Sequence, residues 1–139
     1  MIVYKTPEEV AKMRRSGQII AATIDRVLAA VAPGKSTADL DAVAEAHIRE
    51  QGAVPSFKGY HGFPATICSS INDEIVHGIP SKRRKLKEGD VLSLDFGCIW
   101  EGFHSDSAVT VFVGAPPSEE AERLVRATEE ALVAGIAQI

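Results

Sequence analysis

The sequence predicts an α+β fold, with helices packed on a mainly antiparallel sheet. Three observations carry that prediction. Two stretches near the start repeat apolar residues at spacings of three and four. The middle of the chain turns to short β-branched runs broken by glycine and proline, and one more helical pattern follows. With 45% hydrophobic residues over 139, and no linker, low-complexity segment or internal repeat, residues 1–139 read as a single domain with one core.

The first helix is announced by Thr6-Pro7-Glu8-Glu9: a capping threonine, proline at the first helical position and glutamate three residues after the cap. Val10, Met13, Gly17, Ile20, Ala21, Ile24, Val27, Leu28 and Val31 then mark one face for burial, and Ala32-Pro33-Gly34 stops the helix. The second begins near Ser36-Thr37 and runs through Leu40, Val43, Ala44, Ala46, His47 and Ile48 to Gly52, a C-terminal cap. From Ala53 to Pro80, loops surround brief strands such as Ala65–Ile71. Lys87-Glu88-Gly89-Asp90 turns the chain into a β-hairpin over 91–114. After Ala115-Pro116-Pro117-Ser118 the last helix runs from Glu119 to near Gln138, with Ala121, Leu124, Val125, Thr128, Leu132 and Ile136 on one side.

Composition excludes several functions. A net charge of −4 with 24% charged residues argues against a general nucleic-acid binder. Cys68 and Cys98 lie far apart, so they suggest neither a zinc knuckle nor a disulfide framework, and a reducing compartment fits. No apolar stretch stands behind a basic leader and no run approaches a membrane span. The expectation is a soluble, cytoplasmic protein with no membrane partner.

The hairpin carries the chemistry. Strand alternation puts Leu92, Leu94, Phe96 and Cys98 on one face and Asp95 on the other; in the return strand Asp106 lies on the face opposite Val109, Val111 and Val113. An even loop pairs residues whose numbers sum to an odd value. A turn at Trp100-Glu101 joins Asp95 to Asp106, Leu92 to Val109 and Phe96 to Ser105; a turn at Glu101-Gly102 keeps the parity. The two aspartates therefore share a face, opposite or diagonal, with Cβ atoms ~5–8 Å apart. Like charges so placed are exposed at an edge, share a proton, or share a divalent metal.

Around them, "SSINDEIVHGIP" (69–80), "LKEGDVLSLDFG" (86–97) and "EGFHSDSAVTVFVG" (101–114) together resemble type I methionine aminopeptidase, a similarity running from the first helix to the last. The resemblance implies the N-terminal half of the pita-bread fold. It also implies a metal-dependent hydrolase, an aminopeptidase that removes N-terminal methionine from nascent proteins whose second residue is small. Asp95 and Asp106 would be ligands of a two-metal site, Asp106 bridging; Co, Mn, Fe, Zn and Ni are not distinguished. His77 would contact the substrate backbone and the tetrahedral intermediate. Tyr60, Phe63 and Cys68 would line the pocket for the methionine side chain, or are plain core residues. That family draws its metal histidine and two glutamates from a second half, and the histidines here are His47, His61, His77 and His104. The 139 residues alone are thus expected to form a nearly inactive half with an apolar face that invites self-association. Two rivals stand beside this: a non-catalytic binding or assembly module that keeps the half-fold, and a homodimer pooling four aspartates around Mn²⁺ or Mg²⁺.

Other signals carry two readings each. His104 points with Asp106 and orients the site or packs; His61 shapes the pocket or faces solvent; His47, mid-helix, is structural. Cys68 lacks the Cys–His pairing of a nucleophile. The basic run "SKRRKLK" (81–87) is a solvated loop or, through Lys82–Lys87, a docking surface for ribosomal RNA.

Overall fold

The computed structural model describes residues 3–139. Helix α1 spans Pro7–Leu28 and starts on the expected box: Thr6 Oγ1 accepts the Glu9 N–H at 3.2 Å and the Glu9 carboxylate accepts the Thr6 N–H at 2.8 Å. It ends before Val31, and its buried face is rotated from the expected one. Val10, Met13, Gly17 and Ala21 face solvent, whereas Ser16, Ile19, Ile20, Thr23 and Val27 are buried. The reason is two hydroxyls. Ser16 Oγ donates to Ser105 Oγ at 2.9 Å, and Thr23 Oγ1 donates to the Ile19 carbonyl at 2.7 Å. A bonded hydroxyl can be buried cheaply, although a hydropathy pattern counts it as surface.

Helix α2, Thr37–Glu50, is capped by Ser36 with Asp39 in the same reciprocal box, and Gly52 leaves it at φ 72°. Leu40, Ala44, His47 and Ile48 turn inward; Ala46 does not. His47 Nδ1 lies 2.8 Å from Thr23 Oγ1, whose only proton is already given to Ile19. The imidazole must therefore donate from Nδ1, which is how a neutral histidine is satisfied in the core. Burial, followed by the charge of Arg26, lowers its pKa.

The sheet has strands β1 (Val54–Pro55), β2 (Ile67–Ile71), β3 (Val91–Trp100) and β4 (Phe103–Phe112), all antiparallel to β3 where they pair with it. β4 runs the length of one edge of β3. β1 and β2 share the other, β1 against Cys98–Ile99 and β2 against Leu92–Phe96. The hairpin turns at Glu101-Gly102, with φ 46° and 83°, the geometry of a type I′ turn. Glycine suits the second position, so the register slides by two from the first expectation: Leu92 pairs with Val111, Phe96 with Ser107, Asp95 with Ala108 and Gly97 with Asp106.

Leu92, Leu94 and Phe96 are fully buried where α1 crosses β3 and β4, in a core that also takes Ile19, Ile20, Val27, Leu40, Ile48 and Ile67. Helix α3, Glu119–Ile136, is well capped by Ser118 yet buries no residue. Its apolar side stays open: Leu124 is 67% exposed and Leu132 62%. No described helix is long and apolar enough to cross a membrane.

Candidate metal centre

Since Gly97 pairs with Asp106 and Asp95 with Ala108, the two aspartates are diagonal neighbours on the face turned away from α1, with backbones about 7–8 Å apart. Cys68 of β2 lies directly across from Asp95 on the other side of β3. A Cβ at Gly97 would lie 2.7 Å from the Phe57 ring, so only glycine lets that ring approach the sheet beside Asp106. Next along the same face, Ser93 Oγ and Thr110 Oγ1 bond at 2.8 Å.

The electrostatics of this face are unbalanced. Asp95 Oδ1 is buried without a hydrogen-bond partner. Burial, then the charge of Asp106, pushes the Asp95 carboxyl above its usual range, and the charge of His77 opposes them. Burial, then Asp95, Asp106 and Asp41, pushes the Cys68 thiol up to about 11. Such a thiol is protonated at neutral pH and is no nucleophile, in keeping with the sequence reading.

His77 lies in the loop after β2, exposed and at φ 60°, a left-handed conformation that non-glycine residues seldom adopt. Its neighbour Gly78 presses on the strand: its carbonyl accepts the Ser69 N–H at 2.8 Å, and a Cβ there would lie 2.1 Å from the Ser69 oxygen. The other predicted residues are more dispersed. Tyr60 and His61 stand edge to face with centroids 4.3 Å apart, both exposed, and Phe63 is half-buried. Among the described residues no hydrogen bond ties Tyr60 or Phe63 to the aspartates. His104, also exposed, pairs through Nδ1 with Ser56 Oγ at 3.1 Å.

Two features escaped the sequence reading. Asp41 accepts the N–H groups of Thr66 and Ile67 at 2.8 and 3.0 Å, fixing the entry to β2 just before Cys68; a helix pattern gives no hint of that. The basic run is not simply a solvated loop either. Leu86 joins the core, Lys85 bridges to Ser36, and Arg84 is bonded to backbone carbonyls. Lys82, Arg83, Lys85 and Lys87 keep the outward charge.

Residues 11–139 match the profile of metallopeptidase family M24. The chain belongs to metallopeptidase family M24. A methionine aminopeptidase of Clostridium acetobutylicum is 48% identical over 136 residues, covering 98% of this chain and 54% of the relative. Methionine aminopeptidase 1 of Bacillus subtilis shows the same 48% identity and the same coverage, 98% and 54%. The crystal structure of a methionine aminopeptidase from Thermotoga maritima superposes with a TM-score of 0.96 at 38% identity, over 100% of this chain and 55% of that one. A prolidase from Pyrococcus furiosus shares the fold, with a TM-score of 0.74 at 22% identity over 86% of this chain and 33% of its own. The chain thus spans about half the length of the curated relatives it matches. Its α+β architecture is the N-terminal half of the M24 pita-bread fold, as the motifs implied.

A metallopeptidase family implies divalent cations, and the residues present fit part of such a site. Two carboxylates on one face, one with a buried orphan oxygen, are hard donors whose mutual repulsion a cation reverses. Among the described residues, no group of three or more histidine, cysteine, aspartate or glutamate side chains could hold a metal by itself. Asp95 and Asp106, two carboxylates, fall short of such a group.

Proposed function

We propose that this chain supplies one half of a methionine aminopeptidase site, with Asp95 and Asp106 as ligands for two divalent metal ions. The observation that carries the reading is the orphaned, buried Asp95 Oδ1 diagonal to a second carboxylate, an arrangement that costs stability until a cation joins it. A bound divalent cation would supply Lewis-acid polarisation of the scissile carbonyl and a more acidic water. His77, in the loop after β2 and close enough for its charge to act on Asp95, donates a hydrogen bond to the substrate's first peptide group. Cys68, held as a neutral thiol, offers a soft wall to a methionine side chain, with Tyr60 and Phe63 completing it. The substrates are peptides and nascent chains with N-terminal methionine, met in the cytoplasm. The outward charges within Lys82–Lys87 provide a surface for ribosomal RNA; charge reversal that leaves ribosome association unchanged removes that part of the reading.

The remaining ligands come from polypeptide beyond these 139 residues. Without them the chain binds metal weakly and turns over little, and its open α3 face promotes self-association. That same face supports a second reading, a non-catalytic module that only assembles with a partner. Calorimetric titration of Mn²⁺ separates the two, run with and without a polypeptide supplying the rest of the relatives' length, with methionyl-peptide hydrolysis measured on the same samples. Hydrolysis in the mixture, abolished by Asp95→Asn, supports the enzyme. Tight association without metal binding or hydrolysis supports the module and sinks the enzyme.

A further inference from the structure

Arg84 belongs to the basic run, yet its guanidinium is turned into the protein. Nη1 donates to the Ser69 carbonyl on β2 at 3.2 Å and to the Ile79 carbonyl at 3.2 Å, while Nη2 pairs with the Glu74 carboxylate. Glu74 Oε2 in turn accepts the Ile71 N–H at 2.8 Å. Glu74 and Ile79 flank His77 on either side, and Ser69 is the strand residue that the loop leans on through Gly78. The Arg84 backbone is itself anchored, its carbonyl accepting the Thr37 N–H at 3.0 Å at the start of α2.

The loop needs such a restraint. Ile75 is 88% exposed and Val76 63%, so little apolar burial holds them, and His77 sits in a left-handed conformation. A planar guanidinium can meet three acceptors in fixed directions; an ammonium at the same place is a single point charge on a flexible stem.

We propose that Arg84 is the positioning residue for His77: by clasping Ser69, Glu74 and Ile79 it fixes the loop that carries the imidazole. This rests on the reading of His77 as a substrate contact. The test is amide hydrogen exchange and the His77 imidazole resonance, followed by NMR on the 139-residue chain. Arg84→Ala is expected to speed exchange at Ser69, Ile71 and Gly78 by about tenfold, the loss of charge-assisted bonds, and to broaden or shift the His77 signal. Amides of α1 and of the β3–β4 hairpin stay protected. Arg84→Lys, which keeps the charge but not the fork, restores part of the effect, and Glu74→Gln shows it in weaker form. Arg83→Ala, its neighbour in the run, leaves all of these unchanged. An unchanged His77 signal in Arg84→Ala overturns the proposal, as does a uniform loss of protection across the chain. Should Arg84→Ala not fold, an Arg84→Lys variant with unaltered Ser69, Ile71 and Gly78 exchange overturns it equally. The reading of His77 fails separately: hydrolysis by the complemented enzyme would survive His77→Ala while the exchange results stood.

Discussion

The two faces of the β3–β4 hairpin are made by the same two ten-residue strands, but they differ in what meets them. On one face Leu92, Leu94 and Phe96 are fully buried where α1 crosses, and the hydroxyls admitted there, such as Ser16 and Ser105, bond each other. On the other, a buried carboxylate oxygen of Asp95 has no partner and a second carboxylate lies diagonal to it. The first face stabilises the fold; the second holds groups that a stability optimum would remove. A strand interior tolerates these carboxylates because the opposite side of β3 is closed by Leu92, Leu94, Phe96 and Cys98.

The sharpest way to break that contrast is to empty the closed face. Phe96→Ala should cost about 3–5 kcal/mol in urea unfolding, through lost burial and the cavity left behind. A Phe96→Ala chain that unfolds like the parent would mean that the hairpin does not rest on this core. Next comes the open face. Asp95→Asn should leave the metal-free chain as stable as the parent or slightly more so, because it removes a like-charge repulsion. With polypeptide supplying the remaining ligands and Mn²⁺ at a hundredfold excess over its Kd, the parent complex should gain about 2.7 kcal/mol, which EDTA reverses. Asp95→Asn should show no such gain in thermal unfolding.

Acid sharpens the contrast further, because a core histidine between α1 and α2 and a carboxylate on the open face respond with opposite signs. His47 is buried neutral and its folded pKa lies below the ordinary 6.5, so the unfolded chain takes up the proton first. Its contribution is full above that value and fades as pH falls through the folded one, with a slope of at most about 1.4 kcal/mol per pH unit. A His47→Gln variant should lose this slope in unfolding measured across the same range. Asp95 has a raised folded pKa, so lowering the pH through it relieves a penalty instead, and the metal-free Asp95→Asn variant should lack that gain. The smallest effect belongs to α3, whose apolar side is largely exposed. Leu132→Glu should change stability by under about 0.5 kcal/mol while lowering the self-association seen by sedimentation.

Much of this was legible because it is local. Thr6 with Glu9 and Ser36 with Asp39 close within one helical turn, and strand alternation alone places Asp95 and Asp106 on one face. The choice between direct and diagonal pairing was also local, resting on a glycine at the second turn position. The proposal of metal ligation draws on the surrounding motifs, since two carboxylates by themselves admit an edge, a shared proton or a cation.

What tertiary structure alone decided lies between residues far apart in the chain. Ser16 and Thr23 take the buried face of α1 because Ser105 and His47 wait there to bond them, and no periodicity contains that information. Arg84 reads as one charge in a solvated run until Ser69, Glu74 and Ile79 are brought around it. The apolar stripe of α3 and an uncovered apolar face were both expected from the sequence; that α3 is where the exposed leucines lie was not. Caps, turns and alternation follow from interactions within a few residues, where the chain has little freedom. Whether a polar side chain is buried or an apolar one exposed depends on which distant partner arrives, and that is settled only when the core closes.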